Sequence, residues 1–160
     1  MLLRPQTLTS DAWAPFGWLP VRDTDAADGT QTLEFHWADP HLNLISHGPE
    51  EIERGPEGAV VTRLYRHDTH TQALMALNCP GIVAVAPAHV EFRNDGDLQA
   101  IRAFAVEPLA PFVLHRGTWH WGPFPTGAEP ILLLNVQGRR YSEDNASADV
   151  AAVGSVIVEG

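Results

Sequence analysis

Histidines in two short segments are the residues of this chain best suited to chemistry. His67 and His70 stand close together with Gln72 just beyond them, and His115 and His120 form a second group further along. A neutral imidazole can bind a metal ion, and an imidazole that titrates near neutral pH can move protons. The two segments therefore predict a site for metal binding or for proton transfer.

The spacing of these residues resembles the two sequence motifs of the cupin fold. The first motif places two ligands two residues apart on a strand and a third five residues later, and Tyr65, His67 and Gln72 occupy those positions. Alternate residues of a strand point to the same face, which puts Tyr65 beside His67. The second motif, Pro-x-Gly-x-x-His, is matched at Gly117 and His120. We expect His67, Gln72 and His120 to converge inside a β-barrel.

Short strands are predicted to carry these segments. Runs rich in β-branched residues recur without helical periodicity, and turns containing Gly, Pro, Asn or Asp separate them. The predicted strands are 59–65, 73–77, 82–86, 101–106, 112–115 and 131–136, with 156–158 as a last edge strand. Ser10 can cap a short N-terminal helix that Pro15 would end. The polar segment 142–149 is expected to be irregular.

This series of elements predicts one domain over residues 1–160. Many short strands without helical crossovers favour an all-β dominated fold, a cupin-like β-barrel of the jelly-roll type with a short N-terminal helix. The sequence has no internal repeat and no linker-like segment that would divide it.

Charge excludes two classes of partner. The chain has ten Arg, no Lys and twenty acidic residues, for a formal net charge of −10. Such a surface repels nucleic-acid phosphates and anionic lipids, so we expect neither nucleic acid nor membrane as a partner. A signal peptide and a long apolar segment are both missing from the sequence, which predicts a cytoplasmic location. The single cysteine excludes an intramolecular disulfide.

Around the histidines, the sequence resembles the ureidoglycolate lyase family. The family segment Glu-Arg-His-Pro-x-x-x-Gln-Ala-Phe is matched by residues 65–74 at its Arg, His, Gln and Ala positions. The family segment His-Arg-x-x-Trp-His is matched by residues 115–120. Tyr65 stands where the family has Glu, and an early Asn-x-Gly-x-x-x-Arg pattern is reduced to residues 28–31 with no Arg following.

The resemblance implies a homodimer that cleaves ureidoglycolate to glyoxylate and urea in allantoin breakdown. Breaking this C–N bond needs a base for the hydroxyl proton, an acid for the urea nitrogen and a cation for the carboxylate. A divalent metal (Ni, Mn, Fe or Zn) could instead polarise the hydroxyl.

These requirements give each candidate residue a role. The catalytic candidates are His67, His115 and His120. The candidates for binding the substrate are Arg102 and Arg116, which would hold its carboxylate, and Gln72 and Tyr65, which would orient it. If a metal binds, its ligands are His67, Gln72 and His120. Three further histidines, His36, His41 and His47, are expected at the surface or in a dimer contact.

Two other functions stay open at this stage. One is a metal-dependent cupin enzyme, an oxygenase or isomerase, that acts on another small carboxylate. The other is a cupin module that binds a small ligand without catalysis. Such modules usually accompany a DNA-binding domain, and the chain has no basic segment for one.

Overall fold

Strands dominate the computed structural model, which describes residues 1–22, 29–37 and 39–159. The strands are β1 (Leu2–Leu3), β2 (Gln6–Thr7), β3 (Gly17–Trp18), β4 (Pro40–His47), β5 (Arg54–Gly55), β6 (Gly58–Val60), β7 (Arg63–Arg66), β8 (Gln72–Ala76), β9 (Gly81–Ala86), β10 (Arg102–Val106), β11 (Phe112–Leu114), β12 (Trp119–Pro125), β13 (Ile131–Gly138), β14 (Ala146–Asp149) and β15 (Ile157–Glu159). The helices are short: α1 (Ser10–Trp13), α2 (Asp95–Leu98) and a 3-10 helix (Pro49–Glu51). None of the described helices is long and apolar enough to cross a membrane.

Two large sheets pack face to face. One has five strands in the order β3-β11-β8-β13-β4, and the other has six in the order β14-β7-β12-β9-β10-β2. Side chains of both sheets form one apolar core between them. A small sheet, β1-β15-β6-β5, shares a second core with the opposite face of the six-stranded sheet. The predicted all-β, cupin-like class is confirmed, as a sandwich whose three described sheets are not hydrogen-bonded into one closed barrel.

Strand β9 lies at the centre of this arrangement. All six of its residues are buried. Val83 and Val85 face the core between the large sheets, whereas Ile82, Ala84 and Ala86 face the core under the small sheet. A strand covered on both faces gains by being apolar throughout, which explains why its sequence shows no alternation.

The predicted N-terminal helix is confirmed as α1. Its N-cap is Thr9, one residue before the predicted Ser10, and the Thr9 hydroxyl accepts from the Ala12 N–H at 3.4 Å. The helix buries Trp13, whose indole N–H donates to the Val113 carbonyl at 2.9 Å. This contact fixes the N-terminal segment to the five-stranded sheet.

Two predictions about the strands were wrong in detail, and two long strands were missed. The predicted strand 59–65 is divided into β6 and β7, which belong to different sheets. The segment 142–149, expected to be irregular, ends in β14, which pairs antiparallel with β7. Strands β4 and β12 were not predicted. Because β14 is an exposed edge strand, it carries no apolar signal.

Candidate functional site

A cavity of about 340 Å³ lies between the two large sheets. On the six-stranded sheet, β7 and β12 are neighbours, and Tyr65 lies directly opposite His120. His67 follows the end of β7 and also lines the cavity. The five-stranded sheet contributes Gln72 from β8 and His47 from β4. The predicted group of Tyr65, His67, Gln72 and His120 is therefore brought together at one cavity.

His67 and His120 face each other across a short gap. Their ring centroids are 5.5 Å apart and both side chains are buried. Nδ1 of His67 lies 2.6 Å from the Asp144 carbonyl oxygen, and Nδ1 of His120 lies 3.2 Å from the Thr118 carbonyl oxygen. Since a carbonyl oxygen only accepts, each Nδ1 carries the proton and donates. Each Nε2 then keeps a lone pair that no protein contact uses among the described residues.

Burial keeps both rings uncharged at neutral pH. It lowers the pKa of His120 to about 4, assisted by the nearby His67. Burial also lowers the pKa of His67, although the Asp144 carbonyl and the carboxylates of Asp144 and Asp68 oppose it. Two neutral imidazoles with free Nε2 atoms can act as bases or as metal ligands.

His70 supports His67 from outside the cavity. The two rings stack with centroids 4.7 Å apart, and Phe35 stacks on the other side of His70 at 6.3 Å. Burial lowers the pKa of His70 to about 4. The backbone of Gly138 lies so close that a β-carbon there would be 2.7 Å from His70 Nδ1. His70 therefore belongs to the packing that fixes His67.

Asp144 holds the loop after β7 in place. The sequence analysis did not identify Asp144 as a residue of the site. Its carboxylate accepts from the backbone N–H groups of Asp68 and Thr69, at 3.1 and 2.9 Å, and from the Thr69 hydroxyl at 2.5 Å. Burial opposes its charge, but the hydrogen bonds from Thr69 prevail and lower the pKa of Asp144. Only the presence of a carboxylate in a polar segment signalled it in the sequence.

Amide side chains form one wall of the cavity. Gln72 Nε2 donates to Asn135 Oδ1 at 2.8 Å and lies 3.4 Å from Gln137 Oε1, while Asn135 Nδ2 donates to Asn43 Oδ1 at 2.7 Å. Gln72 is only 6% exposed, and its Oε1 atom has no hydrogen-bond partner among the residues that the structure describes. The amide wall (Asn43, Gln72 and Gln137, with the fully buried Asn135 behind them) is thus a neutral surface with hydrogen-bonding capacity to spare.

Comparison with known protein families decides what this site belongs to. A family model described as Ureidoglycolate lyase matches residues 1–156 of the 160. The chain belongs to the ureidoglycolate lyase family. The match includes both histidine segments and Asp144, and it makes the protein a lyase. A search of curated proteins finds no significant match.

Three residues that the sequence suggested for this lyase do not line the cavity. His115 is exposed and packs on Trp18 at 5.5 Å between ring centroids. Arg116 is paired with Glu34, its Nε lying 2.8 Å from the carboxylate. Arg102 donates to the backbone carbonyls of residues 99 and 101 at 2.6 and 2.9 Å. Each of these side chains is already committed to a partner elsewhere.

The register of the strands explains why Arg102 lies away from the cavity. Val85 of β9 pairs with Arg102 on one side and with His120 on the other. Arg102 and His120 therefore share a row of the sheet but are separated by two strand spacings, roughly 10 Å. Val85 lies between them, and Arg102 does not line the cavity, so the structure does not bring the predicted carboxylate-binding residue Arg102 together with His67 and His120.

Two sets of residues in this lyase could hold a metal. His67, His70 and Asp144 offer ligand atoms within 4.8 Å of one another. In that set, however, the Asp144 carboxylate already accepts three hydrogen bonds from the loop. The predicted set of His67, Gln72 and His120 keeps its donor atoms free of hydrogen bonds within the described residues, because both imidazoles donate through Nδ1 to carbonyl oxygens, as metal-ligating histidines do, and Gln72 Oε1 has no partner there. It contains no carboxylate.

Proposed function

We propose that this lyase cleaves the C–N bond of ureidoglycolate in the cavity between the large sheets, releasing glyoxylate and urea as a step of allantoin breakdown. The observation that carries the proposal is the pair of neutral histidines, His67 and His120, that flank a cavity walled by amides. Membership of the family indicates the substrate, and the cavity contains side chains that suit the chemistry of that substrate.

His67 is the residue we assign as the base. Its Nε2 takes the hydroxyl proton of the substrate while the carbinol C–O bond becomes the aldehyde and the C–N electron pair leaves with nitrogen. The protonated ring then gives that proton to the departing urea nitrogen, so the ring ends neutral. The Asp144 carbonyl, 2.6 Å from Nδ1, and the nearby carboxylates stabilise the transient imidazolium.

His120 is the poorer base of the two, because it lacks the nearby carboxylates that favour protonation of His67. Its pKa of about 4 leaves Nε2 as a hydrogen-bond acceptor throughout the cycle. We assign it to orient the substrate next to His67, whose ring centroid is 5.5 Å away. Tyr65, directly opposite His120 on the neighbouring strand, is assigned to the same end of the substrate.

The amide wall is suited to the ureido group. A ureido group has N–H donors and a carbonyl acceptor, and a chain of amides offers the complementary atoms. Gln72 Oε1 has no donor, and the described residues offer no acceptor to Nδ2 of Asn43 or Nε2 of Gln137. Pairing Gln72 Oε1 with a ureido N–H would remove the cost of leaving this buried polar atom without a partner.

A metal is the alternative way to activate the hydroxyl. A divalent ion held by His67, His120 and Gln72 would act as a Lewis acid and make the hydroxyl proton easier to remove. The donor set has two nitrogens and one neutral amide oxygen, which favours a weakly held and removable ion over a tight one.

Release of glyoxylate from ureidoglycolate, with and without a chelator, tests the proposal. We expect release of glyoxylate and urea in equal amounts. Release that is insensitive to the chelator assigns the chemistry to the side chains alone, whereas chelator-sensitive release assigns a metal to His67 and His120. No release from either enantiomer, with or without added divalent metals, would overturn the proposed substrate.

A homodimer is part of the proposal. The outer face of the five-stranded sheet carries Leu42 and Leu44, which are 63% and 59% exposed, beside the half-buried Leu132, Leu134 and Val136 of β13. Such a continuous apolar face favours burial against a second copy. Light scattering should give twice the chain mass for the wild type and the single mass for Leu44→Glu. A monomeric wild type would contradict this.

We also place the reaction in the cytoplasm. Cys79 is a free thiol, partly exposed, and makes only weak contacts to backbone carbonyls. An unpaired cysteine suits a reducing compartment. Detection of the tagged protein in a periplasmic or secreted fraction would contradict the assignment.

A further inference from the structure

We propose that the apolar end of the cavity (Ile45, Phe124 and Leu133) is a subsite for an acyl group, so that the lyase also cleaves N-acyl-α-hydroxyglycines to glyoxylate and a primary amide. This inference rests on the proposed function, because both substrate classes share the reacting carbon, its hydroxyl, the carboxylate and the N–H group. They differ at one place. An apolar acyl chain or ring stands where ureidoglycolate has its terminal NH₂ group.

The five-stranded sheet gives the cavity two chemically different halves. Asn43 of β4 pairs with Asn135 of β13 in the amide wall. Two residues away along each strand, Ile45 pairs with Leu133. Alternate residues of a strand share a face, and Asn43, Ile45 and Leu133 all line the cavity. With a rise of about 3.3 Å per residue, the apolar pair lies roughly 7 Å beyond the amide pair.

The six-stranded sheet changes from polar to apolar in the same direction. His120 and Phe124 of β12 both line the cavity, and their partners on β9 are three positions apart, at residues 85 and 82. The Phe124 ring packs on the ring of His47, with centroids 4.9 Å apart. His47, expected at the surface or in a dimer contact, is the last residue of β4 and lies two positions beyond Ile45. Phe124 and Ile45 are therefore at the same end of the cavity, away from His120.

Ureidoglycolate leaves the apolar end without a matching group, because apart from the reacting C–H all of its groups are polar. The cavity volume of about 340 Å³ is within the range, about 300–1,000 Å³, in which proteins bury larger, drug-sized ligands. Ile45 and Phe124 are half-buried and open on this space. Covering them with an apolar group favours binding through the hydrophobic effect, by about threefold to fourfold per methylene group.

The exposure of the polar lining residues sets the orientation of the substrate. Tyr65, Tyr141 and Asn145 line the cavity and are exposed, so a carboxylate beside them keeps part of its hydration. A carboxylate placed against Ile45 and Leu133 would lose its hydration without gaining a hydrogen bond from them. The acyl group, and not the carboxylate, therefore points to the apolar end.

The reacting part of the substrate is the same in both classes. Gln72 Oε1, which is buried and has no partner among the described residues, suits the N–H group that the two classes share. The hydroxyl loses its proton as its C–O bond becomes the aldehyde of glyoxylate. The C–N bond breaks with its electron pair on nitrogen, which takes up the proton and leaves as the primary amide. The reaction is neither an oxidation nor a reduction and needs no co-reactant.

Substrates with acyl groups of increasing size test the inference. N-acetyl-, N-butyryl- and N-benzoyl-α-hydroxyglycine are compared with ureidoglycolate by the release of glyoxylate. For the wild type we expect KM to fall about tenfold from the acetyl to the butyryl substrate, which adds two methylene groups, and to be no higher for the benzoyl substrate. The inert N-acylglycines, which lack the hydroxyl, should follow the same order in Kd.

Variants of β4 separate the apolar end from the rest of the cavity. Ile45→Ala should weaken the dependence of KM on acyl size, because it removes part of the apolar contact. Ile45→Phe should fill the apolar end and raise KM for the benzoyl substrate at least about tenfold relative to KM for the acetyl substrate. Leu44→Phe is the matched control, since Leu44 is 59% exposed on the opposite face of β4 and does not line the cavity; it should leave this ratio unchanged. Denaturant unfolding checks that each variant folds.

The outcomes distinguish this inference from the proposed function. A KM that does not fall with acyl size, or an effect of Ile45→Phe that Leu44→Phe reproduces, would overturn the inference. Cleavage of ureidoglycolate without cleavage of any acyl substrate would also overturn it and leave the proposed function standing. Cleavage of the acyl substrates alone would support the inference and overturn the proposed substrate. If the wild type cleaves neither class, both activities fail.

Discussion

Nδ1 of His67 donates to the backbone carbonyl of Asp144 across 2.6 Å, joining two residues that are 77 positions apart in the chain. The bond fixes the neutral tautomer of His67 and directs its Nε2 away from Asp144. The Asp144 carboxylate also binds the N–H groups of Asp68 and Thr69, on the loop that carries His67. A segment near the C-terminus thus completes a site that begins on β7.

The Asp144 carboxylate should matter for both stability and turnover. Asp144→Ala leaves the N–H groups of Asp68 and Thr69 without their acceptor, so we expect a loss of about 1–3 kcal/mol in the free energy of unfolding. The loosened loop should lower kcat at least about tenfold by misplacing His67. Denaturant unfolding and glyoxylate release measure the two effects. Glu143→Gln, which affects only an exposed ion pair with Arg140, is the matched control.

Gly138 should tolerate no side chain. A β-carbon there would lie 2.7 Å from His70 Nδ1, and His70 cannot retreat because it stacks on His67 and Phe35. Gly138→Ala should cost about 1–3 kcal/mol of stability by overpacking and should lower kcat. The control is Gly127→Ala, where the new methyl group meets nothing within 4 Å. Wild-type stability and activity in Gly138→Ala would show that the stack does not position His67.

The buried histidines should make the fold sensitive to acid. His67, His70 and His120 have pKa values below the ordinary 6.5, about 4 for the last two. Between pH 6.5 and 4 the unfolded chain binds more protons at these rings than the folded chain does, so stability falls as the pH falls. Each ring contributes a slope of at most about 1.4 kcal/mol per pH unit. His70→Phe should flatten the curve of unfolding free energy against pH; an unchanged slope would contradict buried neutral rings.

His67 and His120 show how much of the site could be predicted from the sequence. The two-residue period of a strand predicted Tyr65 and His67 on one face, and the resemblance to the second cupin motif predicted His120 near them; all three line the cavity. The first inference needs only the period of a strand, which is local and fixed by backbone geometry.

The rest of the site depends on pairings between distant segments. Asp144 reaches His67 only because β14 pairs with β7, and His47 reaches the cavity only because β4 pairs with β13 along its whole length. The position of Arg102 depends on sheet order in the same way, because β9 lies between its strand and that of His120. These registers join segments that are far apart in the chain, and the two-residue period within one strand does not specify its partner strand.

The arginines suggested by the sequence should be dispensable for substrate binding. Arg102 binds backbone carbonyls and Arg116 binds Glu34, both outside the cavity. We expect Arg102→Gln and Arg116→Gln to leave KM for ureidoglycolate within about twofold of the wild type, because neither side chain lines the cavity. Steady-state kinetics of both variants and the wild type measure this. A large rise in KM for either arginine variant would place the substrate carboxylate outside the cavity.

The most direct test of the account is glyoxylate release by the wild type and by His67→Gln, with His115→Gln as the control from the second histidine segment. If His67 is the base, His67→Gln should fold normally and lose about 10²–10⁴-fold in kcat. His115→Gln, whose side chain lies outside the cavity, should match the wild type. A folded His67→Gln variant that releases glyoxylate at the wild-type rate would contradict the assignment of the chemistry to this cavity.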